Sequence, residues 1–147
     1  MNGLRIYIKA GDDNTGELFA RFESNGFSGC GNAWFDLKSL AIQAELFAQY
    51  PLHLNPLPEI EGGYWNADAT KIEQVHLHVS AYPINSRGDI GLLIRVAMPY
   101  ENPDRIGLEF SASVEFKTNY EQLRKFSTDL QSLALGHLEE VVFEQIS

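Results

Sequence analysis

The sequence predicts one α+β domain built as a two-layer sandwich, in which a mostly antiparallel sheet of six to seven strands carries two helices on one face. Six segments alternate apolar and polar residues, as half-buried strands do. Two further segments repeat apolar residues at the spacing of an amphipathic helix. The order of three strands and a helix occurs twice, which favours a βββα pseudo-duplication with halves at about 1–51 and 72–147. At 147 residues and 44% hydrophobic composition, the chain suits a single domain.

The first half is predicted to begin with a hairpin of strands at 4–9 and 18–23. The turn between them, at 11–16, is dense in Gly, Asp and Asn, which favour tight antiparallel connections. The glycine-rich segment 25–31 is predicted to be a second turn. It leads into a third strand that ends at Asp36.

A helix is predicted over 37–49, because Asp36 or Ser39 can accept a hydrogen bond from a free amide of its first turn. The helix is expected to end before Pro51. Three prolines within eight positions then predict an extended surface linker over about 51–71, joining the two halves.

The second half shows the clearer alternation, which predicts strands at 74–81, 91–98 and 108–117. Their inward-facing residues are predicted to include Met98, Leu108 and Phe110. Asn119 is a good N-cap for a helix over 120–134, and Gly136 is positioned to end that helix. The apolar tail at 141–146 offers one more strand, at a sheet edge.

The charge of the chain narrows the classes of partner. It carries 20 acidic and 11 basic residues, for a formal net charge of -9, which disfavours nucleic acid and anionic membranes. No run approaches the roughly 20 apolar residues of a membrane span, and the N-terminus does not resemble a signal peptide. A single cysteine, Cys30, cannot form an internal disulfide. We therefore expect a soluble, cytoplasmic protein.

The sequence contains no recognisable catalytic motif. Residues 26–30 are not the serine-hydrolase elbow, because Cys30 replaces the final glycine and the segment precedes a strand. His76 and His78 share one face of a predicted strand, but a metal site needs further ligands, so they are interpreted as solvated residues. The sequence thus predicts no enzyme, no metal and no cofactor, and leaves the roles of Cys30 and this histidine pair open.

Aromatic residues are the more unusual feature. Tyr64 and Trp65 follow two glycines, and Trp34 is out of phase with its inward neighbours. Exposed rings would be anchors for a protein partner, because they bury much area at a small entropic cost. The alternative is that these rings fold back to close the end of the core. The two interpretations predict opposite exposure.

Segments across most of the chain resemble a group of known proteins. They are the Gly31-Asn32-Ala33-Trp34-Phe35 run, the Tyr50-Pro51-Leu52 helix end, and the strand at 109–117 leading into the helix at 120–133. In these features the chain resembles small uncharacterised acidic bacterial proteins, some of them similar to immunity proteins of polymorphic toxin systems. The resemblance implies a non-catalytic binding role and identifies no toxin-contacting residue.

Three hypotheses follow for function. The first is a protein-binding module, of the immunity-inhibitor type, that meets a basic partner through the acids and rings Glu59, Glu61, Asp68, Glu73, Trp34, Tyr64 and Trp65. The second is a small-ligand site under the linker, lined by His78 and Arg95 together with the two tryptophans. The third is a structural or self-associating role, including a homodimer, through the edge segment at 141–146.

Overall fold

The computed structural model describes residues 2–100 and 110–146. These residues form eight strands and two α-helices, in the order β1 Gly3–Ala10, β2 Thr15–Ser24, β3 Phe27–Asp36, α1 Leu37–Glu45, β4 Glu59–Trp65, β5 Ile72–Pro83, β6 Asp89–Ala97, β7 Ser111–Asn119, α2 Tyr120–Ala134 and β8 Glu140–Glu144. A single 3-10 turn, Leu46–Ala48, follows α1. The α+β class and antiparallel pairing predicted from the sequence are confirmed.

The strands form two sheets, whereas the sequence predicted one. Sheet A has the order β3-β2-β1-β8 and sheet B the order β4-β5-β6-β7, with antiparallel pairing throughout. Strand β3 lies against sheet B and does not pair with it. Glycines on its inner side permit this approach, since a Cβ added at Gly31 would lie 2.7 Å from the His76 carbonyl oxygen. A Cβ at Gly29 would lie 2.8 Å from Ala112 Cβ.

Strand β3 also begins earlier than predicted. The glycine-rich segment 25–31 was expected to be a turn, but only Asn25 and Gly26 turn, both at positive φ, and the strand starts at Phe27. The glycines at 29 and 31 are therefore packing residues. They replace side chains that would hold sheets A and B apart.

The predicted linker contains a strand. Within 51–71, β4 pairs with β5 in a register that sets Ile60 opposite Val79. The ladder shifts register at Gly62/Gly63, where a Cβ on Gly63 would clash with the Gln74 carbonyl. Two glycines and this bulge break the alternation that would have revealed the strand.

The order of three strands, a helix and a further strand occurs twice along the chain, and each sheet takes one edge strand from the other half. Strand β4, which follows α1, completes the sheet of the second half, and β8, which follows α2, completes the sheet of the first half. Asp36 and Asn119, 83 positions apart, both cap their helices, accepting from the amides of Ser39 and Gln122.

A second pair with the same offset lies at the contact between the helices, where Ser127 Oγ donates to the Ala44 carbonyl at 2.6 Å. The repeated order of elements that the sequence predicted is thus present in the folded chain.

The core lies between the sheets and the two helices. Phe47 meets Phe126 edge to face at 5.5 Å between ring centroids, and Phe126 contacts Phe143 of β8 in the same way.

Helix α2 has the predicted bounds, whereas α1 is shorter, since its last turn tightens to a 3-10 turn. The inward positions predicted for Met98 and Phe110 are wrong. Both residues lie just beyond the paired ends of β6 and β7 and are exposed.

The predicted strand at 108–117 is described only from residue 110, and Leu108, predicted to face inward, lies outside the described residues. Within the described part of the chain, neither helix is long and apolar enough to span a lipid bilayer.

Candidate functional site

Six of the seven residues predicted for partner binding lie in one hairpin. Strands β4 and β5 and their turn, here called the β4–β5 hairpin, carry Glu59, Glu61, Tyr64, Trp65, Asp68 and Glu73. Tyr64 is 54% exposed and Trp65 is 52% exposed. Strand β4 is an edge strand of sheet B. The rings therefore extend to solvent beside the acids and do not close the core.

The turn of this hairpin is fixed by its own polar side chains. Asn66 Oδ1 accepts hydrogen bonds from the amides of Thr70 at 2.9 Å and Lys71 at 3.3 Å, and Ala69 takes a positive φ. Thr70 Oγ1 donates to Asp68 Oδ1 at 2.9 Å. Such side-chain to backbone bonds favour turns over regular structure. Asp68 is thus held in place within the turn.

Trp34 is not part of this hairpin. It is 54% exposed on the outer face of sheet A, where Glu17 is its direct neighbour on β2. On the same face Tyr7 and Phe19 stack in parallel, with ring centroids 5.0 Å apart. Cys30 is exposed on that face opposite Arg21. The structure therefore has two separate aromatic surfaces, and the sequence grouped them as one.

A cavity of about 610 Å³ opens on the outer face of sheet B. Its size is within the usual range for small-molecule sites. A polar row crosses all four strands there, with Glu61, His78, Arg95 and Ser113 as direct cross-strand neighbours. All four line the cavity, and so does Glu73. His78 and Arg95, which the sequence predicted for one ligand site, do share a cavity, while Trp34 and Trp65 do not line it.

His78 lies at the centre of a hydrogen-bonded chain. Its Nδ1 is 2.8 Å from Glu61 Oε2, and its Nε2 is 2.9 Å from Ser80 Oγ. The order of carboxylate, imidazole and hydroxyl matches that of serine hydrolases. Ser80 is only 4% exposed, however, which keeps a substrate carbonyl away from its hydroxyl. The chain therefore orients the His78 ring and gives no basis for acyl transfer.

His76 is buried, so its interpretation as a solvated residue is wrong. The residue is 3% exposed, its Nε2 is 3.0 Å from Gln74 Oε1, and the Tyr64 ring meets it edge to face at 4.5 Å. Gln74 in turn bonds both backbone polar groups of Tyr100. His76 thus fixes the wall of the cavity next to the exposed hairpin rings.

Two ionisable groups elsewhere on sheet B have shifted pKa values. Burial raises the pKa of Tyr82, and the adjacent Glu115 carboxylate, which accepts its hydroxyl hydrogen bond, raises it further. The hydrogen bond from Asn85 Nδ2, at 2.8 Å, lowers the pKa of Asp89, and the Lys117 ammonium at 3.8 Å adds to this. Both groups lie beyond the cavity row, so they define the polar character of the surrounding sheet face.

The edge segment predicted at 141–146 forms β8 over Glu140–Glu144 and lies at the edge of sheet A. Its inner side chains, Val141 and Phe143, are buried. A shallow groove beside it is lined in part by Lys125 and Asp129 of α2. The inner side chains of β8 therefore belong to the core of this chain. Among the described strands β8 pairs with β1 alone, so its other edge is the one that could pair with a second chain.

No protein-family model, curated protein or solved structure matches this chain.

Proposed function

We propose that this protein is a non-catalytic binding module that holds a basic protein partner on its β4–β5 hairpin, in the manner of an immunity-type inhibitor. One observation carries the proposal. Acids and rings that are spread over fifteen positions of sequence come together on a single edge hairpin with their rings half exposed.

The chemistry of the hairpin fits a basic partner. Glu59 and Glu73 are exposed, and Glu61 is half-buried beside them. The chain as a whole has a charge of -9, which accelerates encounter with a cationic surface by electrostatic steering. Tyr64 and Trp65 supply the large rigid rings that commonly dominate binding energy at interfaces. Charge would thus set the association rate, and the rings would set the dissociation rate.

The proposal is tested by affinity capture from a lysate of the native source, at low and moderate salt. The baits are the wild-type chain, the double variant Tyr64→Ala/Trp65→Ala, and Phe27→Ala. Phe27 is a matched control because it is also an exposed ring, but it lies at the start of β3. We expect one basic protein in stoichiometric amount with wild type and Phe27→Ala, and at least tenfold less with the double variant.

Either of two results would contradict the proposal. One is a partner that the double variant retains in full. The other is the absence of a stoichiometric partner at either salt concentration.

The cavity supports a second candidate function, binding of a small anionic ligand. Arg95 is exposed in the middle of the polar row and forms no ion pair with any described residue. A guanidinium can bind a carboxylate or phosphate through two parallel hydrogen bonds. Small carboxylates and phosphates are screened by thermal shift. A ligand that binds Arg95 should raise the melting temperature of wild type and leave that of Arg95→Gln unchanged. No shift with any member of the screen would remove this candidate.

A further inference from the structure

One imidazole and two carboxylates converge on the outer face of sheet B. Glu59, Glu61 and His78 each present one ligand atom, and the three atoms lie within 4.8 Å of one another. Glu59 and Glu61 are two residues apart on β4, so their side chains share a face, and His78 is directly opposite Glu61 on β5. The convergence is therefore a product of strand register.

The imidazole is oriented by a group outside the three ligands. Ser80 lies directly opposite Glu59 on the ladder, and its hydroxyl oxygen is 2.9 Å from His78 Nε2. This contact fixes the ring plane so that Nδ1 faces Glu61 at 2.8 Å. Histidine ligands in metal sites are commonly oriented in this way, with the second ring nitrogen bonded to a neighbouring polar group.

We propose that Glu59, Glu61 and His78 form a zinc site. Imidazole nitrogen and carboxylate oxygen are both ligands that Zn²⁺ favours, at bond lengths of about 2.0–2.2 Å. Two atoms on one tetrahedral ion are about 3.4 Å apart at these bond lengths. Separations of up to 4.8 Å must therefore close by at most about 1.4 Å, and the 2.8 Å contact between His78 and Glu61 must lengthen by about 0.6 Å, through movement of the flexible glutamate ends.

The proton balance of binding is simple. In neutral His78 with its proton on Nδ1, that proton bonds Glu61 and the Ser80 hydroxyl donates to Nε2. Zinc takes the Nδ1 lone pair, the single ring proton moves to Nε2, and Ser80 Oγ becomes its acceptor. A serine hydroxyl serves in either role. The ring remains neutral, and the two carboxylates balance the charge of the ion.

Three protein ligands leave a fourth position open. Glu61 and His78 both line the 610 Å³ cavity, so we place the fourth ligand in this cavity. Three ligands and an open position are typical of zinc sites that bind water or an exogenous group, whereas structural zinc sites have four protein ligands. The site is thus placed to hold an anionic group in the cavity, next to Arg95.

The test is isothermal titration of zinc sulfate into the untagged full chain after dialysis against a chelator. We expect one saturable equivalent per chain. Glu59→Gln and His78→Gln should each weaken zinc binding at least tenfold. His137→Gln is the matched control, because this histidine is exposed on the loop after α2, and its variant should bind zinc as wild type does.

A cobalt titration gives a second readout that does not depend on heat. Bound Co²⁺ should show visible absorption bands that zinc abolishes by displacement, and Glu59→Gln should lack them. Glu59 is exposed, so this variant is expected to fold, and far-UV circular dichroism checks that it does. The proposal is overturned if no saturable equivalent binds, or if folded Glu59→Gln and His78→Gln both bind zinc as tightly as wild type. Loss of binding in His137→Gln alone would also overturn it.

Discussion

At the residue scale, the ionisable groups on the outer face of sheet B differ in the partners that their local contacts give them. Tyr82 is partly buried beside Glu115, and a Cβ added at Gly91 would touch both side chains. His76 and His78 are two positions apart on the same strand, yet one bonds a neutral amide and the other a carboxylate. Sequence spacing predicted their common face, on which Gln74 also lies, two positions before His76. It could not predict Glu61 as the partner of His78, because Glu61 belongs to a strand that was interpreted as linker.

Tyr82 gives a prediction at this scale. Burial and the Glu115 carboxylate raise its pKa, so one of the six tyrosines should ionise above the ordinary value of about 10. Because the folded pKa exceeds the unfolded one, the associated stability is complete below about pH 10 and is lost as pH rises further. Ultraviolet titration of wild type against Tyr82→Phe measures this step. The prediction is contradicted if the tyrosine missing from the titration curve of the variant is one that ionises near pH 10 in wild type.

At the element scale, the starts of both helices were predictable, whereas for β3 the sequence predicted the end of the strand and missed its start. Asp36 and Asn119 are caps whose partners are three residues away, so local sequence is sufficient to recognise them. The path of β3 depends on backbone atoms of sheet B that are distant in sequence. From the sequence alone, its glycines therefore resembled a turn. One sheet was predicted where two are present, because the packing of β3 against sheet B also depends on residues distant in sequence.

Gly31 tests this account of β3. A Cβ there would lie 2.7 Å from the His76 carbonyl and 2.9 Å from Val96 Cβ, and neither atom is the end of a flexible side chain. Gly31→Ala should lower the free energy of unfolding by about 1–3 kcal/mol through overpacking. Cys30→Ala, on the exposed side of the same strand, should change it by less than about 0.5 kcal/mol. Urea denaturation of both variants is the measurement, and equal stabilities would show that β3 does not lie against sheet B.

For the candidate site, the sequence predicted which residues take part better than it predicted where they lie in the fold. The acids and rings of the hairpin were selected by residue type and proximity in sequence, and the fold keeps them together because β4 and β5 are consecutive. Trp34 was grouped with them by chemistry alone, and β3 carries it to the outer face of sheet A. The Glu59, Glu61 and His78 convergence was missed, since it requires the register of a strand that was interpreted as linker.

At the scale of the whole molecule, each half completes the sheet of the other. Strand β8 contributes Val141 and Phe143 to the first half, and β4 contributes Ile60 to the second. The helices meet at equivalent positions, Ala44 and Ser127. Neither half contains its own complete sheet, so the chain should unfold as one cooperative unit.

The two tryptophans allow this cooperativity to be measured, because Trp34 reports on sheet A and Trp65 on sheet B. Single-tryptophan variants, Trp65→Phe and Trp34→Phe, should each show one denaturation transition that coincides with the loss of far-UV circular dichroism. Adding Phe143→Ala to either should destabilise it by about 3–5 kcal/mol and shift both probes together. Loss of the sheet A signal alone would mean that the halves unfold independently.

The central claim, that the β4–β5 hairpin holds a basic partner, is tested most directly by photo-crosslinking. A photoreactive phenylalanine analogue is placed at Trp65 in one chain and at Phe27 in another, and each is irradiated in a lysate of the native source. We predict that position 65 crosslinks to one basic protein, with a yield that falls as salt rises, and that position 27 does not. Crosslinking of that protein from position 27 alone, or no crosslink from either position, would contradict the claim.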